Sequence, residues 1–121
     1  MRPHPLLLPL ILLSACSTGP SLPGGPYQHR TDGLEWSLGD DTSGAFRASV
    51  RRSTAIPAGG SVDLGGIEQG CRRDALRIAL EEAERRGEGG LKVDERRIES
   101  GSGVVPGPYA YCTASIRVST R

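Results

Sequence analysis

The sequence predicts an α+β domain: one helix packed on a small, mostly antiparallel sheet, in the order β-β-(β)-α-β-β. Three observations carry this prediction. Apolar residues recur at helical spacing in one stretch, from about Cys71 to Arg86. Two other stretches, Leu34 to Arg51 and Tyr109 to Ser119, alternate apolar and polar as half-buried strands do. The chain has 121 residues, which is room for one domain. A sheet with one apolar face and a helix with one apolar stripe then have each other to cover.

The elements follow in order. Leu34, Trp36 and Leu38 share one face of a first strand. Gly39-Asp40-Asp41-Thr42-Ser43-Gly44 is dense in turn residues. Phe46, Ala48 and Val50 alternate with Arg47, Ser49 and Arg51, so the two segments read as a hairpin. Val62 and Leu64 suggest a brief strand before Gly65-Gly66. The helix then presents Ala75, Leu76, Ala79, Leu80 and Ala83 as its core face. Asp74 is placed in its first turn, where negative charge suits the helix dipole. Glu81 to Arg85 and Glu82 to Arg86 are pairs at i,i+4 spacing. Gly87 supplies the left-handed cap.

After the helix, Leu91 and Val93 begin another strand, with a bulge or bend near Glu95 to Arg97. Ser100 to Pro108 reads as a loop. The last strand, Tyr109 to Ser119, turns Ala110, Cys112, Ala114, Ile116 and Val118 to the core. The aromatic residues are Trp36, Phe46, Tyr27, Tyr109 and Tyr111 alone, with 17 glycines and 9 prolines. A core this poor in rings is marginal, and Trp36 is expected inside it, with an anchor on a binding surface as the alternative.

The N-terminus points to a compartment. Leu6 to Leu13 (LLLPLILL) is an apolar run of eight, preceded by Arg2. Eight residues are far short of the ~20 that span a bilayer as a helix, so the run reads as the core of a signal peptide. Leu13-Ser14-Ala15-Cys16 resembles the lipobox of bacterial lipoproteins. The resemblance implies a lipoprotein signal peptide over 1–15, cleavage before Cys16, diacylglycerol on the Cys16 sulfur and an N-acyl chain such as palmitate. An ordinary signal peptide with an incidental cysteine is the plainer alternative. Several acyl chains give stable anchoring where one is marginal. Ser17, rather than Asp, follows the sorting habit of outer-membrane lipoproteins.

Ser17 to Pro26 cannot bury enough surface to fold, and extends to at most roughly 35 Å. The expected organisation is 1–15 signal peptide, 16–33 lipidated cysteine and flexible tether, and 34–121 a single small domain. The formal net charge of +1 gives no basic surplus for a nucleic-acid backbone. Loss of Arg2 with the leader leaves acidic and basic side chains equal in number.

Cys71 and Cys112 remain after Cys16. A disulfide is expected from an even count in an oxidising compartment, with Cys112 on the core face and Cys71 at the helix start. Two free thiols and a redox-switching bridge are the alternatives. A bridge closing about 40 residues stabilises by about 4 kcal/mol in the chain-entropy model.

Catalytic and metal chemistry are not legible. His29 is the one mature histidine, in a segment that reads as exposed loop. No cluster has metal-ligand spacing, and no nucleophile stands with a base and an orienting group. Asp40-Asp41 lacks the alternating ligands of a calcium loop and reads as a turn. The glycine pairs match no phosphate loop. Arg72-Arg73 at the helix start and Arg96-Arg97 on a strand read as solvated surface, with anionic lipid or glycan as the sharper alternative. No enzyme activity and no cofactor are expected.

From Val62 onward a further pattern is present. Val62-Asp63-Leu64-Gly65 precedes Cys71, an Ala-rich helix follows, then a strand, a Gly/Pro loop and Pro108-Tyr109-Ala110-Tyr111-Cys112-Thr113-Ala114-Ser115-Ile116. Over roughly 62–119 this resembles the C-terminal domain of the outer-membrane lipoproteins that sense envelope stress for the Rcs (regulator of capsule synthesis) phosphorelay, and related small lipoprotein domains. The resemblance implies a lipid-anchored, periplasm-facing module of the outer membrane that contacts other envelope proteins and catalyses nothing. A structural or assembly accessory is the alternative. That family carries four domain cysteines, bridged first to third and second to fourth. Cys71 and Cys112 match the first and fourth, so either they pair in a new way or neither is bridged.

Overall fold

The computed structural model describes residues 22, 26–41, 44–87, 93 and 95–119. The expected leader, Cys16 and most of the tether lie outside the described residues, as do Leu91 and Lys92. Five strands form one antiparallel sheet: β1 (His29–Thr31), β2 (Leu34–Asp40), β3 (Phe46–Ala55), β4 (Glu99–Val105) and β5 (Tyr109–Val118). Their spatial order is β1-β2-β3-β5-β4. Among the described residues one α-helix, α1 (Leu64–Arg85), packs on one face of the sheet, so the domain is α+β as predicted. The chain runs from β3 through α1 to the far edge, and β5 then returns between β3 and β4.

The central strands follow the sequence pattern. Phe46, Ala48 and Val50 of β3 and Ala110, Cys112, Ala114, Ile116 and Val118 of β5 are buried, while their alternating neighbours face outward. The Asp40-Asp41 turn is built by a carboxylate: Ala45 N–H donates to Asp41 Oδ1 at 3.1 Å, and Asp41 N–H donates to the Ala45 carbonyl at 3.0 Å.

The third strand before the helix is β1, not Val62–Leu64. Leu64 opens the helix, and β1 falls within the 16–33 stretch assigned to the tether. Its turn is Asp32-Gly33, with φ of 50° and 78°. Two central residues at positive φ match the right-handed twist of a two-residue hairpin.

The helix begins at Leu64, well before Cys71. Gly65, Gly66 and Gly70 weaken helix propensity and hide the first turns from a periodicity reading. Asp63 caps them, accepting from Gly66 N–H at 3.1 Å. A side chain at Gly66 would stand 2.7 Å from that carboxylate, so glycine makes room for the cap. Asp74 is consequently not in the first turn; it lies mid-helix, accepting from Arg52 Nε at 2.7 Å. At the other end Gly87 takes φ 82° and donates to the Glu84 carbonyl, as expected of a left-handed cap.

The buried face of α1 is turned relative to the predicted one. Cys71, Ala75, Ile78, Ala79, Glu82 and Ala83 are buried, Leu76 is half-buried, and Leu80 is 43% exposed. Alanine and cysteine allow the close approach to β5, and leucines at the centre would hold the helix off.

The stretch read as a loop, Ser100 to Pro108, is mostly β4. Val93 is not in a strand; it packs against the core edge, and the expected bend is a 3-10 turn at Glu95–Arg97. Arg96 and Arg97 therefore stand on that turn. Ser and Gly have low strand propensity, but tertiary contacts override it here. Ser100 Oγ and Ser102 Oγ donate to Glu68 at 2.6 and 3.1 Å. Gly103 leaves space for Tyr111, whose hydroxyl oxygen would be 2.9 Å from an added Cβ.

Cys71 and Cys112 are joined by a disulfide, with Cα atoms 6.0 Å apart, a sequence separation of 41 and no exposed surface. The bridge links α1 to β5 at the centre of the core. Cys71→Ser and Cys112→Ser are each expected to cost about 2–5 kcal/mol of stability. In thermal melts the double variant should be no worse than either single. Additive losses would mean that the two sulfurs act independently.

Candidate functional site

The helix rests on β5, β3 and β4 and leaves the apolar row of β2 extending past it. Leu34, Trp36 and Leu38 therefore floor an open groove of about 450 Å³, with Ile78 on its helix wall. Arg52, Arg77, Glu81 and Arg85 stand along its rim and Asp32 closes one end. Trp36 is the only tryptophan in the chain. It pairs across the sheet with His29, and their rings stack with centroids 4.1 Å apart. His29 is thus on a strand rather than in a loop, and Trp36 is half-buried on a groove floor rather than enclosed in the core. The Asp32-Gly33 turn is the sequence signal that places β1, and with it this stacked pair.

Charge around the groove is held in ion pairs. Glu82, 5% exposed, accepts from Arg85 and from Arg86 Nε at 2.6 Å. Arg86 also donates to Asp40 at 2.7 Å and lays its guanidinium over Phe46, 4.5 Å from the ring centre. Of the two expected i,i+4 pairs, Glu82–Arg86 forms; Glu81 instead pairs with Arg77, and Arg85 turns to Glu82. Burial pushes the Glu82 carboxyl up, but the hydrogen bonds and charges of Arg85 and Arg86 outweigh it and hold the group below the usual carboxylate range.

On the opposite, helix-free face Glu35 is lowered by hydrogen bonds from Arg51, against a smaller rise from burial. Arg51 also lies over the Tyr27 ring at 4.7 Å and donates to the Leu22 carbonyl at 3.3 Å. Leu22 and Tyr27 thus both lie against Arg51 on this face.

The other residues singled out by sequence fall as follows. Cys16 lies outside the described residues. Arg72 is not solvated surface: it donates to the Ile98 carbonyl at 3.0 Å and Ser100 Oγ at 2.9 Å, tying the helix to β4. Asp41 is engaged by Arg117. Among the described residues no three metal-ligating side chains gather, and no helix is long and apolar enough to cross a membrane. Comparison with known proteins finds no family model, no curated sequence and no solved structure that matches this chain.

The depressed carboxyls fix a pH dependence. A carboxyl lowered on folding contributes stability that is present above its unfolded value, 4.5 for glutamate, and is lost as pH falls through the lower native value. The melting temperature should therefore be flat from about pH 6 to 8 and fall below about pH 4.5. Glu82→Gln should melt several degrees lower at neutral pH, with a shallower acid fall. An unchanged acid limb in this variant would remove Glu82 from the account.

Proposed function

We propose that the protein is a lipid-anchored, periplasm-facing domain of the bacterial outer membrane that acts by binding another envelope protein, as a sensor-like or interaction module, without catalysis. The observation that carries the anchor is Leu13-Ser14-Ala15-Cys16 directly after an apolar octet. The Cys71–Cys112 bridge supports an oxidising compartment. The groove at Trp36 supports binding: a tryptophan on an apolar floor, rimmed by arginines, is the composition of an interaction hot spot. The rim arginines are already satisfied by Asp74, Glu81 and Glu82, so they offer orientation to a polar partner rather than a bare charge.

A structural or assembly accessory of the outer membrane, with no signalling output, is the second reading. The fully buried bridge favours it, because it makes the domain a rigid binding block. A sensor changes its partner occupancy with envelope stress, whereas an accessory copurifies at constant stoichiometry.

Cys16→Ser should move the protein from the membrane to the soluble fraction, and intact mass of the wild type should give a chain starting at Cys16 plus acyl chains. A Cys16→Ser variant that still sediments with membranes contradicts the anchor. Trp36→Ala should weaken copurification with an envelope partner by tenfold or more, and retention of the partner would exclude the groove.

A further inference from the structure

The flank of α1 turned away from the sheet keeps apolar surface exposed, with Leu76 packed only in part against the core and Leu80 turned outward. Leu76 is half-buried, and Leu80 is one of only two large apolar side chains counted as exposed among the described residues. They border a shallow hollow of about 350 Å³ whose remaining walls are Arg73, Arg77, Glu81 and Glu84. The charges are ordered along the helix: both arginines toward its N-terminal end, both glutamates toward its C-terminal end. Arg77 and Glu81 pair weakly with each other at 3.5 Å. Among the described residues neither Arg73 nor Glu84 has an ion-pair partner.

We propose that this stripe is a docking surface for a second copy of the chain, formed by antiparallel packing of the two helices about a two-fold axis. A two-fold contact requires a surface complementary to itself, and this one is. An axis passing midway between Ile78 and Ala79 sets Arg73 level with the partner's Glu84, and Glu84 level with the partner's Arg73. In the same register Leu76 lies about 1.5 Å along the axis from the partner's Leu80, and Arg77 the same distance from the partner's Glu81, at 1.5 Å rise per residue. A two-fold of this kind brings each flank of the stripe against the same flank of the other copy. At 100° per residue Leu76 and Leu80 fall toward one flank and Arg77 and Glu81 toward the other, so leucine meets leucine and arginine meets glutamate. A parallel two-fold sets Arg73 against the partner's Arg73 and Glu84 against the partner's Glu84, so like charges oppose at both ends of the stripe.

The contact covers little more than three helical turns, well below the roughly 1,200–2,000 Å² of a stable interface. The association is therefore weak and reversible in solution, and it strengthens wherever copies are held at high local concentration. It uses the outer face of the helix and leaves the floor of the groove at Trp36 open. It does not depend on the lipid anchor.

The test is sedimentation equilibrium of the full chain in density-matched detergent, over concentrations reaching the millimolar range. The wild type should rise from the monomer mass toward twice that mass. Arg73→Glu and Glu84→Arg should each hold the protein at the monomer mass, because each opposes like charges at both ends of the contact. The double variant R73E/E84R restores opposite charges and should recover the wild-type curve. Leu80→Ala should weaken association at least several-fold. Melting temperatures within a degree or two of wild type would show that the monomer is intact. A wild type that stays monomeric throughout, single reversals that associate normally, or a double swap that fails to recover would each overturn the proposal. So would a Leu80→Ala variant that melts markedly lower, because Leu80 would then be covered within its own chain.

Discussion

The close contact between α1 and the middle of the sheet, cross-linked by Cys71 and Cys112, is the constraint on which the rest of the structure depends. Cys71, Ala75, Ala79 and Ala83 share one buried cluster with Ala48, Cys112 and Ala114, all fully or almost fully buried. Small side chains bury little area each, and Phe46 is the only ring in the buried core. At about 25 cal/mol per Å² such a core is poorly endowed. A bridge worth about 4 kcal/mol is then a large share of the 5–15 kcal/mol by which domains are typically stable.

That constraint also sets where polar groups go. With α1 drawn onto β5, the small residues of β4 come close enough for Glu68 and Arg72 to bond Ser100, Ser102 and the Ile98 carbonyl. At the other end Glu82 is carried into the core edge, where Arg85 and Arg86 compensate its burial. The same placement leaves β2 without a helix above it. The groove floored by Leu34, Trp36 and Leu38 is thus a consequence of how the helix sits. The outward turn of Leu80 is another, since the alanine face and not the leucine face meets the sheet.

The parts legible in the sequence are those where side-chain periodicity and burial agree. β5 and the first half of β3 alternate in both sequence and burial, β2 alternates in sequence, Asp41 and Gly44 mark the β2–β3 turn, and Gly87 marks the helix end. The first turns of α1 are hidden because glycines at 65, 66 and 70 argue against a helix, and only the Asp63 cap reveals them. β4 is hidden because Ser-Gly-Ser-Gly has no strand propensity of its own; its pairing depends on β5 and its packing on Glu68. β1 has a local signal, Asp32-Gly33, which the polar segment before it conceals. The two cysteines are legible as a candidate bridge, but that bridging selects the alanine face of the helix follows only from the three-dimensional packing. The groove at Trp36 is not legible at all, since it depends on how far the helix reaches across the sheet.

Amide hydrogen exchange of the oxidised protein, compared with protein whose bridge has been reduced and alkylated, tests this account most directly. If the bridge holds a core too small to stand alone, its loss should collapse protection in α1, β3, β4 and β5 together. If the helix amides lose protection while β3 and β5 keep theirs, the sheet is stable by itself and the bridge merely fastens the helix to it.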